Sequence, residues 1–110
     1  MSANDCIFCK IVKKEIPAKV AEEGKDWIAF HDIHPKAPLH LLVIPHRHIE
    51  RLSDAKSEDA GFVGRLILEA ARIGRAKSPA GFRLVVNDGS AAGQRVFHLH
   101  VHILGQQEME

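Results

Sequence analysis

An α+β fold, with a five-stranded antiparallel sheet, one short N-terminal helix and one long helix, is predicted by three observations. Three strand-length apolar runs precede one long amphipathic segment, two follow it, and turn residues separate them. The elements follow in order. Cys6 to Lys14 places Ile7, Ile11 and Lys14 on one helical face, and Pro17 ends whatever helix forms there. Lys19 to Glu23 and Trp27 to Asp32 flank Gly24-Lys25-Asp26, a connection that suits a hairpin, and Trp-Ile-Ala-Phe supplies strand-compatible bulk. After the turn-rich His34-Pro35-Lys36-Ala37-Pro38, the run Leu39 to Ile44 ends at Pro45 and is too short for a buried helix.

Ser57 to Lys77 is the long helix. Phe62, Leu66, Ala70 and Ile73 recur at the helical period, and Val63 and Ile67 widen the stripe. Ser57 is its expected cap; Glu58 and Asp59 begin it, Arg72, Arg75 and Lys77 end it, and Pro79 and Gly81 stop it. Phe82 to Asn87 and Val96 to Leu104 are the last two expected strands, around Asp88-Gly89-Ser90-Ala91-Ala92-Gly93. No repeat, low-complexity tract or linker interrupts the chain, so residues 1–110 are expected to form one domain.

Composition excludes several classes. Hydrophobic residues make up 45% and charged residues 26%, and no apolar run reaches bilayer-spanning length, so no membrane partner is expected. The start Met1-Ser2-Ala3-Asn4-Asp5 has neither the basic nor the apolar stretch of a secretory signal, which predicts a reducing, cytoplasmic setting. The two cysteines are then expected as thiols or metal ligands. With 15 basic against 14 acidic side chains there is no basic excess for a nucleic-acid polymer, and a small anionic ligand remains open.

The anomaly is eight histidines beside a single Trp and no Tyr. On a strand, His98, His100 and His102 share one face with neighbours ~6.6 Å apart, while Leu99, Val101 and Ile103 face the other way. Imidazole titrates near neutrality and serves as nucleophile, proton donor or metal ligand, so three in register suggest divided roles. A surface strand with incidental histidines is the bland alternative. Just upstream, Gly89 and Gly93 permit the close backbone approach that lets N–H groups converge on a phosphate, although such a segment is also an ordinary hairpin loop.

His98-Leu99-His100-Val101-His102-Ile103-Leu104 resembles the His-φ-His-φ-His-φ-φ signature of the histidine-triad (HIT) superfamily, and the chain looks most like its nucleoside phosphoramidase branch. Ile7-Phe8-Cys9-Lys10-Ile11, Ala29-Phe30-His31-Asp32-Ile33, Ala37-Pro38-Leu39-His40 and Gly93-Gln94-Arg95-Val96-Phe97 carry the resemblance further. It implies that His100 is the nucleophile, that His102 contacts phosphate and leaving group, and that His40 completes a proton relay. It also implies a purine base against Phe8, Phe30 and Ile33, ribose hydroxyls on Asp32, and phosphate lined by Asn87, Gly93, Gln94 and the Val96 backbone. The substrate would be a purine nucleotide derivative and the protein a two-fold homodimer. A His rather than a Gln at position 102 resembles the hydrolase branches. Arg95 stands where many relatives have Ser, and a surface role is favoured for it.

Cys6-x-x-Cys9 has the separation of a zinc half-site. In resembling proteins that keep both cysteines the other ligands match His48 and His98, which implies a structural zinc and no catalytic cofactor; His46 is a lower-ranked alternative. Rival readings are a nucleotide-binding regulator, a dinucleoside polyphosphate hydrolase, and a zinc hydrolase using His98, His100 and His102 as ligands.

Overall fold

The computed structural model describes residues 5–106. Helix α1 (Ile7–Val12) is followed by strands β1 (Val20–Glu23), β2 (Trp27–His31) and β3 (Leu39–Pro45), helix α2 (Ala60–Lys77), and strands β4 (Phe82–Val85) and β5 (Val101–Gly105). The strands form one antiparallel sheet in the order β1-β2-β3-β5-β4, so the predicted fold class is the observed one. Among the described residues no helix is long and apolar enough to cross a membrane.

Central β3 is buried along its whole length, which explains why its sequence is an unbroken apolar run rather than an alternating one. Leu39, Leu41 and Val43 join Leu66, Ala70 and Ile73 of α2 in one core, with Val101 and Ile103 beside them. On the other face Leu42 and Ile44 pack with Ile28, Phe30 and the α1 residues Phe8, Cys9 and Ile11. Each fully buried aliphatic side chain in these layers contributes roughly 1.5–3 kcal/mol.

Four local expectations are corrected. In α1 the inward face is Phe8, Cys9 and Ile11, while Ile7 is 48% exposed, because the sheet lies on the side of the cysteines. Ser57 does not cap α2: a 3-10 turn, Ser57–Asp59, leads into the helix, and the Asp59 carboxylate accepts from the Lys56 N–H at 2.9 Å and pairs with Arg47 at 2.8 Å. Strand β4 stops at Val85, two residues short of Asn87. The largest difference is in the last strand, whose ladder begins at Val101 rather than Val96. Val43 pairs with Val101, so Leu99 would meet Pro45, which has no N–H to offer. The Leu99 N–H bonds the Ile49 carbonyl at 2.6 Å instead, and residues 98–100 leave the ladder.

Gly74 marks the closest approach of α2 to the sheet. A Cβ there would lie 2.5–2.9 Å from three ring atoms of Phe82. Gly74→Ala is therefore expected to cost roughly 1–3 kcal/mol through overpacking, more than the gain of about 1 kcal/mol in helix propensity. Urea titration should show a lower midpoint; an unchanged or higher one would mean that the Phe82 ring yields freely.

Candidate active site

Strand register assembles the first half of the site. His31 pairs with Leu41, and the next step of that ladder sets Asp32 against His40, where the Asp32 N–H donates to the His40 carbonyl at 3.0 Å. Leu42 pairs with His102, so His40 lies diagonally from His102 on the same sheet face. Their rings meet: His40 Nε2 is 2.9 Å from His102 Nδ1 and 3.3 Å from Asp32 Oδ2.

Fixed backbone groups determine which nitrogens carry protons. The Lys36 N–H donates to His40 Nδ1 at 3.1 Å, so a neutral His40 carries its proton on Nε2 and donates it toward His102 Nδ1. His102 must then hold its own proton on Nε2, a buried atom without a partner among the described residues. His100 Nδ1 donates to the His98 carbonyl at 2.7 Å, which leaves the lone pair on Nε2. His98 Nε2 donates to the Pro45 carbonyl at 2.8 Å, which leaves the lone pair on Nδ1. The three histidines of the run thus present three different faces: a bare Nδ1 on His98, a bare Nε2 on His100 and an Nε2–H on His102.

Burial keeps all of these rings neutral. Desolvation pushes His98 and His102 down to about 4, at His98 against the Pro45 bond and with the help of His48 and His100, and at His102 with the help of His100 and His40. It lowers His100 and His40 as well, against the pull of the Asp32 carboxylate on both. A consequence for stability follows from His102. Between pH 6.5 and about 4 the unfolded chain takes up a proton there and the folded chain does not, so stability present above pH 6.5 is lost as pH falls through that window. Urea midpoints should decline from pH 6.5 toward 4, and His102→Gln should flatten part of that decline; an equal slope in the variant would show that other groups carry it.

The glycine loop precedes this row in the chain. Gly89 and Gly93 have φ of 93° and 97°, which other residues rarely adopt, and they bracket the 3-10 turn Ser90–Ala92. Asp88 accepts from the Ser53 N–H at 2.8 Å and from its hydroxyl at 3.1 Å, which fixes the loop's entry. Gln94 fixes its exit: Oε1 accepts from the Gly89 N–H at 2.8 Å, and Nε2 donates to the carbonyls of Glu50 and Val96 at 2.7 and 3.1 Å. Its amide is spent on shaping the loop rather than free to line a phosphate, a departure from the expectation.

A second cluster lies behind the row. Cys6 caps α1, its sulfur accepting from the Cys9 N–H at 3.3 Å. Cys6 Sγ and Cys9 Sγ lie 3.3 and 3.5 Å from His98 Nδ1, and Cys9 Sγ lies 3.2 Å from His48 Nδ1. One ligand atom from each of Cys6, Cys9, His48 and His98 falls within 4.8 Å of every other. Two sulfurs and two imidazole nitrogens at such separations suit tetrahedral zinc, and the Pro45 bond presets His98 in the ligating tautomer. Burial, with Cys6 beside it, pushes the free Cys9 thiol up to about 11. Asp32, His40 and His102 also lie within ligand range of one another. They suit a metal poorly, because the only lone pair of His40 is engaged by Lys36.

The expected base slot is placed differently. Phe8 and Phe30 meet edge to face at 5.5 Å and are 6% and 5% exposed, so they belong to the α1 core. Ile33, beyond the end of β2, is 86% exposed. Asn87 and Val96 are half-buried, Asn87 with its amide 4.0 Å from where a Cβ on Gly93 would sit. Arg95 is exposed and His46 half-buried outside the cysteine cluster. Sequence reading passed over Lys36, Pro45 and the His98 carbonyl, which act through backbone atoms. It also passed over Phe8 as a wall for His100, with ring centroids 5.1 Å apart at 89°.

A family model described as HIT domain matches residues 13–109. The HitA protein of Neisseria gonorrhoeae is 45% identical over 103 residues, 93% of this chain and 96% of that protein. A HIT family hydrolase from Legionella pneumophila Philadelphia 1 has a crystal structure that superposes with a TM-score of 0.92 at 42% identity, covering 96% of each chain. A zinc-bound histidine triad family protein from Mycobacterium smegmatis superposes with a TM-score of 0.78 at 32% identity, over 96% of this chain and 78% of its own.

Proposed function

This chain belongs to the HIT domain family, and from that premise we propose that it is a purine nucleoside phosphoramidase that works through a nucleotidyl-histidine intermediate and releases a nucleoside monophosphate. The hydrolase names of similar solved structures support the reaction class. The observation that carries the reading is the proton arrangement of the row: His100 Nε2 is a neutral lone pair, and His102, its ring centroid 5.0 Å away, has at Nε2 a donor without a partner among the described residues.

In this reading His100 Nε2 attacks the α-phosphorus in line with the departing amine, forming N–P as the substrate's P–N bond breaks. The leaving nitrogen takes the bond's electron pair and a proton from His102, which solvent replaces so that neither His102 nor His40 is left anionic, and the water of the second step returns a proton to solvent. Charge developing on the phosphoryl oxygens meets His102 Nε2–H and the backbone of the Gly89–Gly93 loop. Ile33 and Asp32 offer an apolar surface and an acceptor for base and ribose. The catalytic tautomers are all set by protein hydrogen bonds, so no catalytic cofactor is invoked.

Cys6, Cys9, His48 and His98 are proposed to hold zinc, which would cross-link α1 to the sheet and the chain before β5. A homodimer is proposed as well, supported by Leu68 of α2, 71% exposed, and by β4 at the open sheet edge.

Mass spectrometry under non-acidic conditions, after mixing with a panel of nucleoside phosphoramidates and dinucleoside polyphosphates, tests the reading. A nucleotidyl adduct on the peptide containing His100 is expected from adenosine or guanosine phosphoramidates. Binding without adduct or turnover would mark a regulator instead, and preference for dinucleotides a different hydrolase.

A further inference from the structure

Asp32 sits where a ribose-binding group is expected, yet its carboxylate is already engaged with the protein. Oδ1 accepts from the His34 N–H at 2.8 Å, a turn that aims Oδ2 back at the sheet. Oδ2 then lies 3.3 Å from His40 Nε2, the same nitrogen that is 2.9 Å from His102 Nδ1. His40 is 4% exposed and cannot turn to meet the carboxylate differently, because its other nitrogen is held by Lys36. The His40 Nε2 proton, donated to His102, therefore also faces the Asp32 anion at 3.3 Å.

We propose that Asp32 is a positioning residue for the hydrolysis itself, its carboxylate locking the His40–His102 pair and balancing the charge that appears on His100. The inference rests on the phosphoramidase reading. When His100 Nε2 bonds phosphorus, the ring keeps its Nδ1 proton on the His98 carbonyl and becomes cationic. The P–N electron pair and one proton, given by His102 and replaced from solvent, leave with the amine, and the attacking water later returns a proton to solvent while P–O replaces the N–P bond. A fixed negative charge favours the cationic ring throughout, and the His100 and His102 ring centroids are only 5.0 Å apart. Asp32, His40 and His102 each place one polar atom within 4.8 Å of the others.

Asp32→Asn separates this role from ribose binding. The Asn oxygen can still accept the His34 N–H and the amide can still meet ribose hydroxyls, so folding and KM should change little. With a 3′-hydroxyl-bearing adenosine phosphoramidate, kcat is expected to fall on the order of 10- to 100-fold with KM within about threefold. The deciding arm uses a 2′,3′-dideoxyadenosine phosphoramidate, and the same loss of kcat is expected there. If wild type and variant turn over the dideoxy substrate equally, Asp32 serves the ribose and the proposal is overturned. Proton NMR of the free protein gives a readout independent of turnover. The His40 Nε2 proton should resonate downfield in wild type and move upfield, exchanging faster, in the variant. An unmoved resonance overturns the proposal even if wild type proves inactive on phosphoramidates, an outcome that would instead remove the phosphoramidase reading.

Discussion

His100→Ala is expected to abolish nucleoside monophosphate release, lowering kcat/KM by about 10⁴-fold or more, the scale associated with deleting a nucleophile. The expectation comes from atoms rather than from motif membership. The His98 carbonyl takes the Nδ1 proton of His100, burial keeps the ring neutral, and the Phe8 edge closes one side of it, so only Nε2 is available to phosphorus. The variant should remain folded. It loses one hydrogen bond at the His98 carbonyl and a ring that is 8% exposed, a cost of roughly 1–3 kcal/mol that a domain of this size can bear. Nucleotide affinity should persist within about tenfold, because the loop, Asp32 and Ile33 are untouched. Circular dichroism and nucleotide titration are therefore measured beside rate. Turnover near the wild-type level in a folded, nucleotide-binding His100→Ala protein would remove the covalent mechanism. His102→Ala should fall less, about 10²- to 10⁴-fold, as expected for a donor rather than an attacking group.

Side chains with strong periodicity were legible in the sequence. The α2 stripe Leu66, Ala70 and Ile73 and the β3 run announced both layers, and their burial is what the patterns require. The alternation of His98, Leu99, His100, Val101 and His102 correctly separated a histidine side from a core side. It could not reveal that the ladder stops at Val101, since that depends on Pro45 lying opposite Leu99, a fact of register between strands more than fifty residues apart. The same holds for the tautomers. Lys36, Pro45 and His98 set them through backbone N–H and C=O groups, which every residue possesses and no composition betrays. Gln94 illustrates the converse. The resemblance implies a phosphate contact there, yet the Gln94 amide is engaged by the Gly89 N–H and by the carbonyls of Glu50 and Val96.

Stripping zinc is expected to lower the melting temperature by about 15 °C while leaving the rate of nucleoside monophosphate release at 25 °C within about twofold. A metal present at a thousand times its dissociation constant contributes about 4 kcal/mol, which corresponds to a shift of that order in a chain of this length. The separation of stability from rate follows from where the ligands lie. Cys6 and Cys9 lie at the start of α1, His48 in the segment after β3, and His98 on the approach to β5, so one ion would join three pieces of chain otherwise held by packing and a few hydrogen bonds. The nitrogens proposed to react belong to His100 and His102, whose tautomers are set by the His98 carbonyl and by His40. Binding must also expel protons. His98 enters with Nδ1 already bare, whereas burial holds the Cys9 thiol protonated up to about pH 11 without metal, and zinc takes cysteine only as thiolate. Release of about two protons per zinc near pH 7, read with an indicator dye in weak buffer, distinguishes this four-ligand site from adventitious binding at surface histidines. Cys9→Ser should abolish both the proton release and the thermal shift. Equal melting temperatures for zinc-loaded and stripped protein, with no protons released on readdition, would leave Cys6 and Cys9 as two buried thiols and nothing more.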